Sequence, residues 1–239
     1  MSEVVVIFIF TAGAGLCIPI GGVLANIEHI RPKWLENELR HAVIAFGGGV
    51  LLAAVSFVLL PEGRSLMPHP VFSVFIFLLG GVVFFSLERF LGGRRQEKPQ
   101  FSAMLLDYIP ESLALGGAFA VSAHSAPLLA ILIGLQNLPE SFNAFRELEE
   151  KSNYSGRRLL LFMFLLVPLG PVAAFTGWYF LTDYQQLLGS IMLFSSGGIL
   201  YLIFQDIAPE SKMHRHWAPA TGAVIGFAVA MLGTNLLPG

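Results

Sequence analysis

Charge is scarce in this sequence. Only 13% of its 239 residues are Asp, Glu, Lys or Arg, against roughly 25% in a soluble domain. Hydrophobic residues make up 55% and the mean hydropathy is +0.70, so lipid is the implied solvent. Cysteine is nearly absent: Cys17 stands alone, which excludes disulfide frameworks and Cys-rich zinc sites. Its apolar surroundings make it a small filler. The net charge of −2 exerts no strong pull toward nucleic acid. The first apolar stretch lacks a preceding basic region, so it reads as a mature helix and not as a cleaved leader. No low-complexity tract or soluble domain interrupts the chain.

Eight stretches are long and apolar enough for spanning helices, each needing roughly 20 mostly apolar residues. They lie at 4–27, 41–60, 70–90, 101–123, 127–148, 158–181, 186–208 and 218–237. The expected fold is therefore a single all-α transmembrane domain over 1–239. The fourth and fifth stretches are the least apolar, so their polar residues belong inside the bundle. Of 14 Lys and Arg residues, all but Arg64 fall in odd-numbered loops: Arg31, Lys33, Arg40, then Arg89, Arg94, Arg95, Lys98, then Arg146, Lys151, Arg157, Arg158, then Lys212 and Arg215. The basic side of a multi-pass protein faces the cytoplasm, which puts both termini outside.

Residues 48–63, GGVLLAAVSFVLLPEG, align with 196–211, SGGILYLIFQDIAPES. The first lies in segment 2 and the second in segment 7, which run in opposite directions. That pattern predicts an inverted repeat of helices 1–3 and 6–8 around a central 4–5 pair, a transporter feature.

The chemistry concentrates in segments 4 and 5. Residues 106–116 read LDYIPESLALG and 135–145 read LQNLPESFNAF. Asp107 and Glu111 are one turn apart and share a face, as do Gln136 and Glu140; Asn137 and Asn143 flank the second pair. Pro110 and Pro139 lack amide hydrogens, which frees the carbonyls of Leu106 and Leu135, and a freed carbonyl at membrane depth needs a polar partner. Three clustered carboxylates repel unless protons or a cation neutralise them, and a cluster of intramembrane ionisable residues marks a pathway. Segment 7 adds Gln205, Asp206 and Glu210; Asp206 and Glu210 share a face and are the candidate release site, with Gln205 an accessory candidate and a solvated helix end as the rival reading. Glu62, at the outer end of segment 2, is an entry candidate. Met67, His69, His124, His214 and His216 read as solvated loop residues. The Gly-Gly pairs suit close helix packing.

At these residues the sequence resembles the ZIP (zinc/iron permease) family of divalent-metal transporters, over nearly its whole length. The resemblance implies eight helices with both termini outside, a homodimer in a plasma (inner) membrane, no resident cofactor, and zinc, iron, manganese or cadmium carried as substrate toward the cytoplasm. Helices 4 and 5 of the family read H-N-x-P-E-G and H/Q-D/E-x-P-E-G and form a binuclear site. Here Asp107 stands at the first His, Tyr108 at the Asn, Asn137 at the helix 5 acid, Ser112 and Ser141 at the glycines, and Val167 where an acid often precedes Pro168. By this comparison one metal position keeps Asp107, Glu111, Gln136 and Glu140, and the second is dismantled. Zinc favours imidazole and thiolate, whereas an all-oxygen site shifts preference toward harder ions such as Mn²⁺, Mg²⁺ or Fe²⁺.

Two other classes compete. A protein of this fold that has given up metal transport, to act as sensor, scaffold or carrier of another solute, is motivated by the missing second position. An intramembrane enzyme needs a signature such as H-E-x-x-H or Gly-x-Gly-Asp, and the sequence contains neither, so no enzymatic activity is expected.

Overall fold

The computed structural model describes residues 2–27, 33–91, 99–121, 125–213 and 217–236. His124, His214 and His216, and the basic residues Arg31, Arg94, Arg95, Lys98 and Arg215, lie outside the described residues.

Eight helical rods follow one another among the described residues, with no strand. They are α1 (Glu3–Ile27), α2 (33–65), α3 (Pro70–Leu91), α4 (Pro99–Ala120), α5 (Ala126–Lys151), α6 (Gly156–Leu181), α7 (Gln185–Glu210) and α8 (Ala218–Leu236). A helix satisfies its own amides and carbonyls, which is what allows an apolar chain to lie in lipid. Hydroxyls within the rods follow the same rule. Thr11 donates to the Ile7 carbonyl at 2.7 Å, Ser56 to Leu52 at 2.7 Å and Thr176 to Val172 at 2.8 Å.

Three rods are interrupted. In α2 a π-helical turn, Val55–Leu59, separates Lys33–Ala54 from Leu60–Ser65, and the Leu60 amide donates five residues back to Val55. In α7 the turn is Ile203–Ile207, and the Ala208 amide donates to Ile203. Pro61 and Pro209 stand two residues after the ends of these turns. Proline has no amide to donate and its ring crowds the preceding turn, and a widened turn relieves both. In α6, Gly156–Leu166 and Leu169–Leu181 meet at a turn over Val167 and Pro168. By contrast, α4 and α5 stay α-helical through Pro110 and Pro139. The rods outrun several sequence-based limits: α2 extends beyond 41–60 at both ends, and α5 reaches Lys151 where 148 was expected.

Among the described residues five helices are long and apolar enough to cross a membrane: Glu3–Ile27, Glu38–Ser65, Pro70–Phe90, Gly156–Leu181 and Gln185–Glu210. A sixth, Ala218–Thr234, is apolar but shorter. The chain therefore has the build of a membrane protein. Its outer surface carries Phe72, Phe75, Leu78 and Val82 on α3 and Leu161, Phe164 and Leu165 on α6, all exposed. The remaining two helices, α4 and α5, are the polar ones, and they are enclosed. Tyr108, Leu115, Leu129, Leu132, Ile133 and Phe145 on them are buried to 1% exposure or less.

The packing is pairwise. α1 lies along α5, α2 along α8, α3 along α7 and α4 along α6, while α4 and α5 touch each other and also meet α7 and α2. All four pairs are close enough to require glycine, Gly21 of α1 against the Leu138 carbonyl and Gly116 of α4 against that of Ala174 among them. A Cβ on Gly49 would stand 2.0 Å from the Ala223 carbonyl oxygen of α8, and one on Gly197 would stand 1.9 Å from that of Phe77 on α3. Small residues that let backbones touch are the usual means of helix association in lipid.

Candidate functional site

Burial of α4 and α5 takes their polar side chains out of solvent. Asp107 is 4% exposed, and Glu111, Gln136 and Asn137 are fully buried. A buried carboxylate costs several kcal/mol unless it is paired, so the partners decide what this cluster is for.

Few partners exist. The Gln136 amide nitrogen donates to Glu111 Oε2, joining α5 to α4. Asn137 turns away and donates to the Ala14 carbonyl of α1 at 3.1 Å. The amide nitrogen of Asn143 donates to the Pro139 carbonyl one turn back at 2.8 Å and leaves its buried Oδ1 without a partner. Those bonds use the side-chain amide nitrogens of all three residues. Without a partner remain Asp107 Oδ1, Glu111 Oε1, Gln136 Oε1, Asn137 Oδ1, both Glu140 carboxylate oxygens and Asn143 Oδ1. All are acceptors. The other buried polar atoms of the described residues without a partner are the hydroxyls of Tyr108 and Ser195.

A cavity of about 30 Å³ lies against this cluster. It has room for a small cation and about one water, since about 10–15 Å³ of such volume holds one water. Asp107 from α4, Glu140 and Asn143 from α5, and Asp206 and Glu210 from α7 line it, with Met104 and Gly47 among the apolar walls. Asp206 reaches the cavity from the π-helical turn of α7, and Glu210 from the turn that follows it. Glu140 lies within electrostatic reach of both Asp107 and Glu111.

The sequence-expected residues therefore divide. Asp107, Glu140, Asn143, Asp206 and Glu210 share one cavity. Glu111 and Gln136 form a bonded pair outside its wall. Asn137 faces α1. Two further candidates have partners of their own. Gln205 does not join the Asp206–Glu210 group: its amide donates at 3.3 Å to Glu88 on α3, which also accepts from the Tyr201 hydroxyl. Residues 205 and 206 sit side by side on a helix, so their side chains diverge. Glu62, partly exposed, accepts at its Oε1 from the hydroxyl of Ser125, next to the start of α5, at 2.7 Å. Among the described residues no three His, Cys, Asp or Glu side chains are gathered tightly enough to cage an ion as they stand. The carboxylates are neighbours without forming a closed shell.

Sequence reasoning missed Glu88, although an acid near the end of an apolar stretch was the available signal. It also missed where the Tyr108 ring goes. The hydroxyl fits a notch between α1 and α6, where a Cβ on Gly15 would lie 2.7 Å from it and one on Gly170 2.1 Å.

Compared with known proteins, the sequence matches no family model and no curated protein.

Proposed function

We propose that this chain carries divalent metal cations across a membrane, in the manner of the ZIP transporters it resembles. The carrying observation is the one-sided chemistry of the core. Seven carboxylate and amide oxygens lack partners, and each of the three side-chain amides nearby has one of its two hydrogens already engaged. A cation answers such a set, because it accepts from many oxygens at once. A solute with its own hydrogen-bond acceptors would add to the deficit.

Asp107, Glu111, Gln136 and Glu140 hold the ion, with Asn143 Oδ1 as a further oxygen. Glu111 must release Gln136 to coordinate fully, which suits a site that binds and lets go. From Asp107 and Glu140 the cavity leads to Asp206 and Glu210, the acids that receive the ion on the cytoplasmic side. The site is mononuclear and oxygen-rich, and it favours Mn²⁺, Fe²⁺ or Mg²⁺ over Zn²⁺.

In this reading all eight rods span the membrane with both termini outside, and helices 1–3 and 6–8 form inverted halves around 4–5. Three observations support the repeat. Exchanging α1 with α6, α2 with α7, α3 with α8 and α4 with α5 carries the packing pairs onto one another. The π-helical turns are offset by 148 residues, 55 to 203, the same offset as the sequence alignment of 48 with 196. Gly49 and Gly197, also 148 apart, make the matching close contacts with α8 and α3. Transport follows from motion of one set of helices against the other around the 4–5 site, in a homodimer of the plasma membrane.

Uptake by proteoliposomes tests this. Mn²⁺, Fe²⁺, Zn²⁺, Cd²⁺ and Mg²⁺ are offered to the wild type and to Glu111→Ala/Glu140→Ala. Uptake that disappears in the double variant is the expected result. No uptake of any ion by folded, inserted protein would leave the competing reading, a protein of this fold that has given up metal transport.

A further inference from the structure

Grooves on the surface of the bundle differ in chemistry, as four of them show. The groove between α2, α7 and α8 and the one between α1 and α5 have no basic residue in their walls. A third contains Arg64 at the outer end of α2, two residues from the acidic Glu62. The fourth lies where α4 begins, α5 ends and α6 begins, and encloses about 350 Å³. That volume falls within the roughly 300–1,000 Å³ of ordinary ligand sites.

The fourth groove is amphipathic along its length. Phe101, Leu148 and Leu159 are buried and form its floor. Phe162 forms a wall, its ring 5.3 Å from that of Phe101. The other end carries Arg158 and the exposed Tyr154. Nearby cations are already committed: Lys151 to Glu147 at 2.8 Å, Arg40 to Glu150 at 3.2 Å and Arg146 to Glu149 at 3.8 Å. Among the described residues Arg157 and Arg158 have no ion pair. A guanidinium without an ion pair among the described residues, beside a phenol at the mouth of an apolar groove, complements a phosphate attached to hydrocarbon.

We infer that this groove holds an anionic glycerophospholipid of the cytoplasmic leaflet, its acyl chain along Phe101, Leu148, Leu159 and Phe162 and its phosphate on Arg158. The inference rests on the membrane orientation of the proposed function, which puts the α5–α6 connection on the cytoplasmic side. The lipid wedges between the ends of α4, α5 and α6, the helices that carry or enclose the candidate site.

Native mass spectrometry tests this on the full chain, in chelator, with equal amounts of phosphatidylglycerol and phosphatidylcholine of identical acyl chains. The wild type retains phosphatidylglycerol over phosphatidylcholine by about fivefold, the ratio one basic side chain near the surface supplies. Arg158→Gln brings the ratio close to one, and Arg64→Gln leaves it unchanged. Phe162→Trp reports occupancy independently: brominated-chain phosphatidylglycerol quenches the added emission more than brominated-chain phosphatidylcholine does. Equal retention of the two lipids by the wild type overturns the inference, as does a preference that survives Arg158→Gln, which would locate the lipid on a diffuse basic belt. Equal quenching by the two brominated lipids also overturns it. Because retention is read without metal, its failure with intact metal uptake removes the lipid site alone, and the converse removes the transport reading alone.

Discussion

Glu140→Gln separates a cation site from an ordinary buried carboxylate. Both Glu140 oxygens lack partners, and Asp107 Oδ1 and Asn143 Oδ1 are unpaired on the same cavity. The substitution keeps the shape and adds an NH₂ where acceptors outnumber donors. One new hydrogen bond to a charged acceptor contributes about 1.5–3 kcal/mol. At roughly 2–4 °C per kcal/mol for a chain of this size, the metal-free variant melts about 3–12 °C above the metal-free wild type. A proton shared among the carboxylates supplies part of the same need, so this range is an upper bound. Metal acts in the opposite direction. At a hundredfold excess over its Kd an ion stabilises the wild type by about 2.7 kcal/mol, roughly 5–10 °C, and the variant loses most of that response. Thermal unfolding of detergent-solubilised protein, with and without Mn²⁺, reads both effects. A variant that melts lower than wild type without metal, and still gains the full shift with it, would refute the reasoning, because Glu140 would then be a structural acceptor.

Asp107→His gives the site an imidazole and raises zinc uptake relative to manganese, as competitive uptake would measure. Gly170→Ala drives a Cβ into the Tyr108 hydroxyl at 2.1 Å and lowers stability by about 1–3 kcal/mol; adding Tyr108→Phe removes the atom in conflict and recovers part of the loss in a double-mutant cycle of thermal unfolding. Gly49→Ala places a methyl 2.0 Å from the Ala223 carbonyl, which belongs to a backbone that cannot step aside, so α2 and α8 separate and the yield of folded protein falls in size-exclusion profiles. In a Cys17→Ser background, a membrane-impermeant thiol reagent labels His69→Cys from outside and Tyr154→Cys only from the cytoplasmic side, and the reverse pattern overturns the orientation.

Much of the architecture is determined by composition and period. Apolar runs of spanning length can satisfy their backbones in lipid only as helices, so the five long apolar rods and the burial of the two polar ones follow from the sequence. So does the shared face of Asp107 with Glu111, and of Gln136 with Glu140, because it depends on helical spacing alone. What each side chain finally touches was decided by tertiary packing. The face of α7 is set by its π-helical turn, and that turn sends Asp206 into the cavity and leaves Gln205 to Glu88 on α3. That Glu62 finds a partner in Ser125 depends on where α5 begins. The shortage of donors around Glu140 depends on the Asn137 amide turning to α1 and on Asn143 and Gln136 directing theirs to the Pro139 carbonyl and Glu111. Spacing along one helix is local and survives in the sequence, whereas contacts between helices depend on rotation and depth, which no single segment encodes.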